Sequence, residues 1–303
     1  MAEIPRSEYL SDHKVVFCTG GGGSICSAQV RAMVHLGANA CILGRNAEKT
    51  ERMAKSIATA RKGARVIGIG AVDVRKIESV EKAVEQCVKE LGGIDFVIAG
   101  AAGNFISPIS GLSANAFKSV VDIDLLGSYN TLKATLPYLQ ISAERFPPDP
   151  QNPSTGGRII FISATFHYTG MPLQAHAAAA KAGVDALSAT VALEYGPRGI
   201  TSNVITPGPI QGTEGMERLS DPENRKNGDR FKGIPLGRYG TVREIADATV
   251  YLFSDTGSYV NGDVLVVDGG SWRAPQYLTA QPYPDFLLGD FKRVNRGTRH
   301  VKL

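Results

Sequence analysis

Between Lys14 and Gly270 the chain alternates seven short, nearly unbroken apolar runs with segments long enough to be helices. KVVFCTG leads into residues 24–36, ANACILG into 47–61, ARVIGIGAVDV into 76–91 and GIDFVIAG into 114–140. GRIIFIS leads into 175–195, GITSNVITPG into 241–254, and GDVLVVDGG closes the series. Strands with one wet face alternate polar and apolar residues; these do not, so a sheet covered on both faces is expected. Strand–helix alternation at this spacing demands right-handed crossovers. The expected fold is a Rossmann-like, doubly wound parallel α/β sheet of about seven strands in a single domain. Three segments stand outside the pattern: a proline-rich loop over 144–157, a polar stretch over 221–230 expected as part of a lid, and an irregular basic tail from Ser271.

Composition narrows the partners. Lys and Arg exceed Asp and Glu by 33 to 29, a net charge of +4 that is too mild to point to nucleic acid. No apolar run approaches the roughly 20 residues needed to span a bilayer, and no metal site is expected. Cys18, Cys26, Cys41 and Cys87 form no CxxC pair and fall in core-like segments, the pattern of buried thiols rather than disulfides.

TGGGGSIC, Thr19 to Cys26, follows the first strand and opens the first helix. In that setting Gly20, Gly22, Gly23, Ser24 and Ile25 bring the backbone against a pyrophosphate, which rests on the free N–H groups of the helix start. The second strand ends in Gly44 and Arg45, where sites for NADH place a carboxylate for the ribose 2′-hydroxyl. A guanidinium suits a 2′-phosphate instead, so NADPH is the expected cofactor. Asp73 and Val74, at the end of the third strand, are expected beside the adenine.

TGGGGSIC, the AGAAG after strand four, Lys181 and PGPIQGT together resemble the short-chain dehydrogenase/reductase family over about residues 12–272, leaving 273–303 as a tail. The resemblance adds Ala101, Lys181, Pro207, Gly208, Ile210 and Thr213 to the cofactor contacts. It departs from the family pattern at Ser24 and Cys26, where glycine is common, and at Ala99 and Gly100, where asparagine is common. The largest departure is in QAHAAAAKAG: four residues before Lys181 the family carries tyrosine, and this chain has Ala177.

A narrower resemblance accounts for these departures. AAGNF, LSANAFKSVVDIDLLGSYNT, HAAAAKAGVDAL, PGPIQGTEGMERL and LVVDGGSW are similar to blocks of peroxisomal 2,4-dienoyl-CoA reductases, fungal ones in particular. That resemblance implies reduction of 2,4-dienoyl-CoA to 3-enoyl-CoA with NADPH, in the breakdown of unsaturated fatty acids.

The residues agree with that chemistry. Hydride addition to a ketone creates an alkoxide that must be protonated on oxygen, a task suited to a phenol beside an ammonium. Hydride addition to a conjugated dienoyl thioester spreads charge onto the thioester oxygen, and the proton goes to carbon two. Asp124, flanked by Ile123 and Leu125, is costly to bury unless paired or protonated. Asp124 with Lys181 is therefore expected to orient a water that delivers the proton; Asp268 resembles a further acidic active-site residue, and Tyr168 is an alternative phenol. His176 is expected to pack near the substrate rather than act as the acid. For the acyl-CoA, the resemblance points to Arg75, Phe105, Ser113, Asn115 and Arg218, the two arginines against CoA phosphates.

Val301, Lys302 and Leu303 resemble the peroxisomal C-terminal signal Ser-Lys-Leu, with Val301 as the departure, so the import receptor is an expected partner. The wider family pairs through two long helices, here 114–140 and 175–195, so a homodimer or tetramer is expected. Two rival readings remain: another NADPH-dependent enoyl-CoA or 3-oxoacyl reductase of this fold, and a non-catalytic NADPH-binding sensor or scaffold.

Overall fold

The computed structural model describes residues 14–147, 156–219 and 234–274, with the side chains of 217–219 set aside. Seven parallel strands form one sheet in the order β3-β2-β1-β4-β5-β6-β7. They are β1 (Val15–Thr19), β2 (Asn39–Leu43), β3 (Val66–Ile69), β4 (Phe96–Ala99), β5 (Arg158–Ile162), β6 (Thr201–Pro207) and β7 (Val264–Val267). The doubly wound sheet expected from the apolar runs is the one found.

Alternate side chains of each strand serve opposite cores. Val15 and Phe17 of β1 join the core that packs against α3 (Ile77–Leu91), α5 (Gly127–Arg145) and α7 (Ala175–Tyr195). Val16 and Cys18 join the core against α1 (Ser24–His35), α2 (Ala47–Ala58) and α9 (Val242–Phe253). Two buried faces explain why the strands read as unbroken apolar runs. All four cysteines are free and buried.

The remaining helices gather at the carboxyl edge of the sheet: α4 (Ala114–Val121), α6 (Phe166–Thr169) and α8 (Glu214–Leu219). α4 runs into α5 through a π-turn at Asp122–Leu126, so the segment expected as one helix over 114–140 continues to Arg145. Its end overlaps the start of the loop expected at 144–157, whose residues 148–155 lie outside the described residues. The polar stretch 221–230, the tail beyond Ala274 and the terminal Val-Lys-Leu also lie outside them.

One strand is shorter than its sequence. β3 stops at Ile69 because Ala71 takes a left-handed φ of 57° and Val72 N–H turns back to Gly44 O. Asp73 and Val74 therefore sit in the turn beyond the strand rather than at its end.

Candidate active site

Strand order reverses between β1 and β4, the place where open α/β sheets bind ligands. There the carboxyl ends open onto a cleft of about 790 Å³, within the usual range for small-molecule sites. Gly20, Gly22, Gly23, Ser24 and Ile25 line it, with Arg45, Asp73, Val74, Arg75, Ala101 and Thr213. Gly23 is the N-cap of α1; no side chain caps that end and no acidic residue lies in the first turn. Free N–H groups and the positive end of the helix dipole are thus left for an anionic group.

Two close approaches explain departures from the family pattern. A Cβ on Gly44 would sit 2.2 Å from Thr50 Oγ1, so no carboxylate fits at that position. The next residue, Arg45, is exposed on the cleft wall. Lys49, in the first turn of α2, lines the same wall; Arg45 lies ahead of the Asn46 N-cap, so helical spacing does not pair the two and the sequence carried no signal for Lys49. The second pair is Cys26 and Gly100. A Cβ on Gly100 would lie 2.3 Å from Cys26 Sγ, whereas the thiol as placed rests 3.7 Å from Gly100 O. The larger residue in the glycine loop thus requires the smaller one after β4.

Other expected contacts take more specific places. Asp73 accepts from Arg75 Nε at 2.9 Å and from Nη2 at 2.7 Å. These hydrogen bonds hold the Asp73 carboxyl down at about 2. Arg75 is therefore engaged at the cleft rim with its side chain 44% exposed, rather than free in solvent. Ile210 is buried in the core, so only its backbone is available to a cofactor. Gly208, after the end of β6 at Pro207, donates to Val267 O at 2.9 Å, and Thr213 closes the cleft edge.

The π-turn widens the α4–α5 helix at Asp124, and such bulges recur at functional positions. Asp124 is 1% exposed. Its Oδ2 lies 3.0 Å from Lys181 Nζ, and its Oδ1 accepts Gly103 N–H at 2.7 Å. Lys181 also donates to Ile162 O at 3.0 Å, which leaves one of its three N–H bonds unassigned among the described residues. The loop after β4, the end of β5, the π-turn and α7 thus meet at a single ion pair. The two residues named together in the sequence analysis are in direct contact.

Around the pair, Ala177 is buried and apolar, so no acid occupies the tyrosine position. Tyr168 lies on the short helix α6, and its hydroxyl donates to Asp185. Burial, then the Asp185 contact, pushes that phenol well above its ordinary range and makes it a poor proton donor. His176 is fully buried against Phe105, ring centroids 4.3 Å apart. Asp268 is fastened to its own loop: Gly270 N–H donates at 2.8 Å and Trp272 N–H at 2.7 Å. None of its hydrogen bonds among the described residues reaches Asp124 or Lys181. Ser113 caps α4 by accepting Ala116 N–H at 3.2 Å, and Asn115 is exposed beside it. Arg218 falls in α8, with its side chain outside the described residues. Ser163 was missed: its buried hydroxyl, directly after the carbonyl that holds Lys181, has no hydrogen-bond partner among the described residues.

Comparison with known proteins places this geometry. The family model described as enoyl-(acyl carrier protein) reductase matches residues 21–271. The peroxisomal 2,4-dienoyl-CoA reductase SPS19 of Saccharomyces cerevisiae is 51% identical over 91% of this chain and 89% of its own. The peroxisomal 2,4-dienoyl-CoA reductase of Danio rerio is 42% identical over 94% of this chain and 88% of its own. Among solved structures, levodione reductase superposes with a TM-score of 0.77 at 29% identity, covering 87% of this chain and 99% of that one. A nicotinamide cofactor follows from the fold and the family. The chain belongs to the short-chain dehydrogenase/reductase family and, within it, to the peroxisomal 2,4-dienoyl-CoA reductases.

Proposed function

We propose that this chain reduces 2,4-dienoyl-CoA to trans-3-enoyl-CoA with NADPH, in peroxisomal oxidation of unsaturated fatty acids. The observation that carries the reading is the buried Asp124–Lys181 pair beside an apolar Ala177. A site built for ketones needs an acid aimed at the carbonyl oxygen; here that place is filled by a methyl group.

The cleft fits a phosphorylated dinucleotide. The uncapped start of α1 suits the pyrophosphate, and Arg45 with Lys49 supplies two cations where a 2′-phosphate would lie. When bound, NADPH supplies the hydride. The protein's own groups then manage charge and proton. Lys181 stands ready to place its remaining N–H on the cofactor ribose and to supply positive potential for the enolate. Asp124, fixed by Gly103 and Lys181, orients a water toward carbon two of the acyl chain. Asp268, locked by two backbone N–H groups, keeps lone pairs for the same water. Phe105 walls the acyl group, while Arg75, Ser113, Asn115 and Arg218 serve the CoA moiety. Exposed Leu126, Tyr129 and Ile141 on the π-turn and α5, and Leu193 on α7, favour pairing of two copies into a dimer or tetramer. Val301–Leu303 is proposed as the ligand of the import receptor.

A substrate panel tests the reading. NADPH oxidation is expected with 2,4-dienoyl-CoA and not with 3-oxoacyl-CoA. Turnover confined to 3-oxoacyl-CoA or 2-enoyl-CoA would transfer the chain to the rival reductase, and cofactor binding without any turnover to the scaffold.

A further inference from the structure

Two loops beside the ion pair are stitched into one piece. Ser107 N–H donates to Leu173 O at 3.1 Å, and Asn104 Nδ2 donates to Gln174 Oε1 at 2.7 Å. Leu173 itself stands in the left-handed region, with φ of 69°. A bulky residue there carries backbone strain, and such strain persists where the surroundings impose it, often at ligand sites. The stitch turns apolar side chains outward. Ile109 is 79% exposed, Ile106 and Met171 each 53%, and Leu173 43%. All four lie within two residues of the Ser107–Leu173 bond. Neither 101–117 nor 162–175 contains a single Asp, Glu, Lys or Arg. This uncharged lip is continuous with the site, since the same loop carries the Gly103 N–H that holds Asp124 and the Phe105 ring that packs on His176. The cleft itself carries Arg45 and Lys49, given above to the cofactor, and Arg75, which also holds Asp73.

We propose that Ile106, Ile109, Met171 and Leu173 form a docking lip for the distal part of the acyl chain, beyond the conjugated diene. The inference rests on the dienoyl-CoA reading and makes the protein selective for medium and long chains. The anionic CoA belongs with Arg75 and Arg218, and the part of the substrate matched to an uncharged aliphatic surface is the tail. Leu173 adopts its strained turn because that turn presents its side chain to the tail.

The test compares kcat/KM for 2,4-decadienoyl-CoA and 2,4-hexadienoyl-CoA in wild type, Ile109→Ser/Met171→Ser and Leu173→Gly, with Tyr259→Ser as a surface control. Wild-type turnover of hexadienoyl-CoA establishes the reaction independently of the lip. Each buried methylene is worth about a fourfold gain in binding, so partial burial of the longer tail should favour decadienoyl-CoA. In the double variant the decadienoyl-to-hexadienoyl ratio should fall about three- to tenfold, carried by KM. Leu173→Gly should lower it in the same direction, because glycine keeps the left-handed turn while deleting the side chain. Tyr259→Ser should leave it unchanged. An unaltered ratio in both lip variants overturns the proposal. In that case, loss of cosedimentation with phosphatidylcholine vesicles would make the lip a lipid contact, and a lowered sedimentation coefficient would make it a contact between copies of the chain.

Discussion

Asp124 and Lys181 meet at 3.0 Å in a site where one is 1% and the other 7% exposed, although one comes from the π-turn before α5 and the other from α7. Removing one partner of a buried pair leaves an uncompensated charge, at a cost of about 3–5 kcal/mol. Asp124→Ala and Lys181→Ala should each lower stability on that scale. The double variant should cost less than their sum, since neither charge is then stranded. Urea unfolding of the four proteins checks this; simple additivity would show that the contact carries no coupling.

Cofactor preference follows from the wall of the cleft. Arg45→Glu should reverse the ratio of kcat/KM for NADPH and NADH, because a carboxylate repels a 2′-phosphate and accepts from a ribose hydroxyl. Lys49→Ala should weaken NADPH alone, by about tenfold for loss of one charge-assisted contact of about 1.5 kcal/mol. Equal losses for both cofactors would place these cations elsewhere in function.

Cys26 and Gly100 should behave as a matched pair. Gly100→Ala puts a methyl group 2.3 Å from the thiol, an overpacking expected to cost about 1–3 kcal/mol. Introduced into Cys26→Ala, the same change should cost clearly less, because the closest remaining neighbour of the new methyl group is Thr19 O at 3.3 Å, a tight contact but not a clash. Thermal unfolding of the single and double variants measures the coupling.

A buried lysine at the opposite edge sets a pH dependence. Lys14 is 2% exposed, 3.6 Å from Asp95 Oδ1 and over the Phe146 ring. Burial outweighs the attraction of Asp95 and pushes Lys14 down from 10.5 to about 8. From about pH 8 to 10.5 the unfolded chain therefore holds a proton that the folded chain has released, and stability rises with pH. The stability of wild type minus that of Lys14→Met should increase across this interval in chemical denaturation. A flat difference would mean that Lys14 keeps its ordinary affinity for protons in the fold.

The seven-strand parallel sheet, covered on both faces, was legible because unbroken apolar runs leave few alternatives once helices separate them. The pairing of Asp124 with Lys181 was suggested by two things: a carboxylate amid Ile123 and Leu125 demands a partner, and the family resemblance placed Lys181 at the site. What the sequence hid are matters of local fit. Nothing in ARVIGIGAVDV announces that Ala71 turns left-handed and ends β3 early. The dependence of Gly100 on Cys26 joins residues distant in the chain through one van der Waals contact, a term without a periodic signature. Asp268 is named by the family resemblance as an acidic residue of the site, but its anchoring to Gly270 and Trp272 depends on the path of a loop that no pattern specifies.

The most direct test of the central claim is turnover of 2,4-decadienoyl-CoA with NADPH by wild type and Asp124→Asn, with the product's double bond located by nuclear magnetic resonance. The account predicts a trans-3-enoyl-CoA from wild type. It predicts a loss in kcat of roughly 10²–10⁴ in Asp124→Asn, the scale of positioned proton transfer, with NADPH still bound. Wild-type turnover by Asp124→Asn, or a product unsaturated at carbon two, would contradict it.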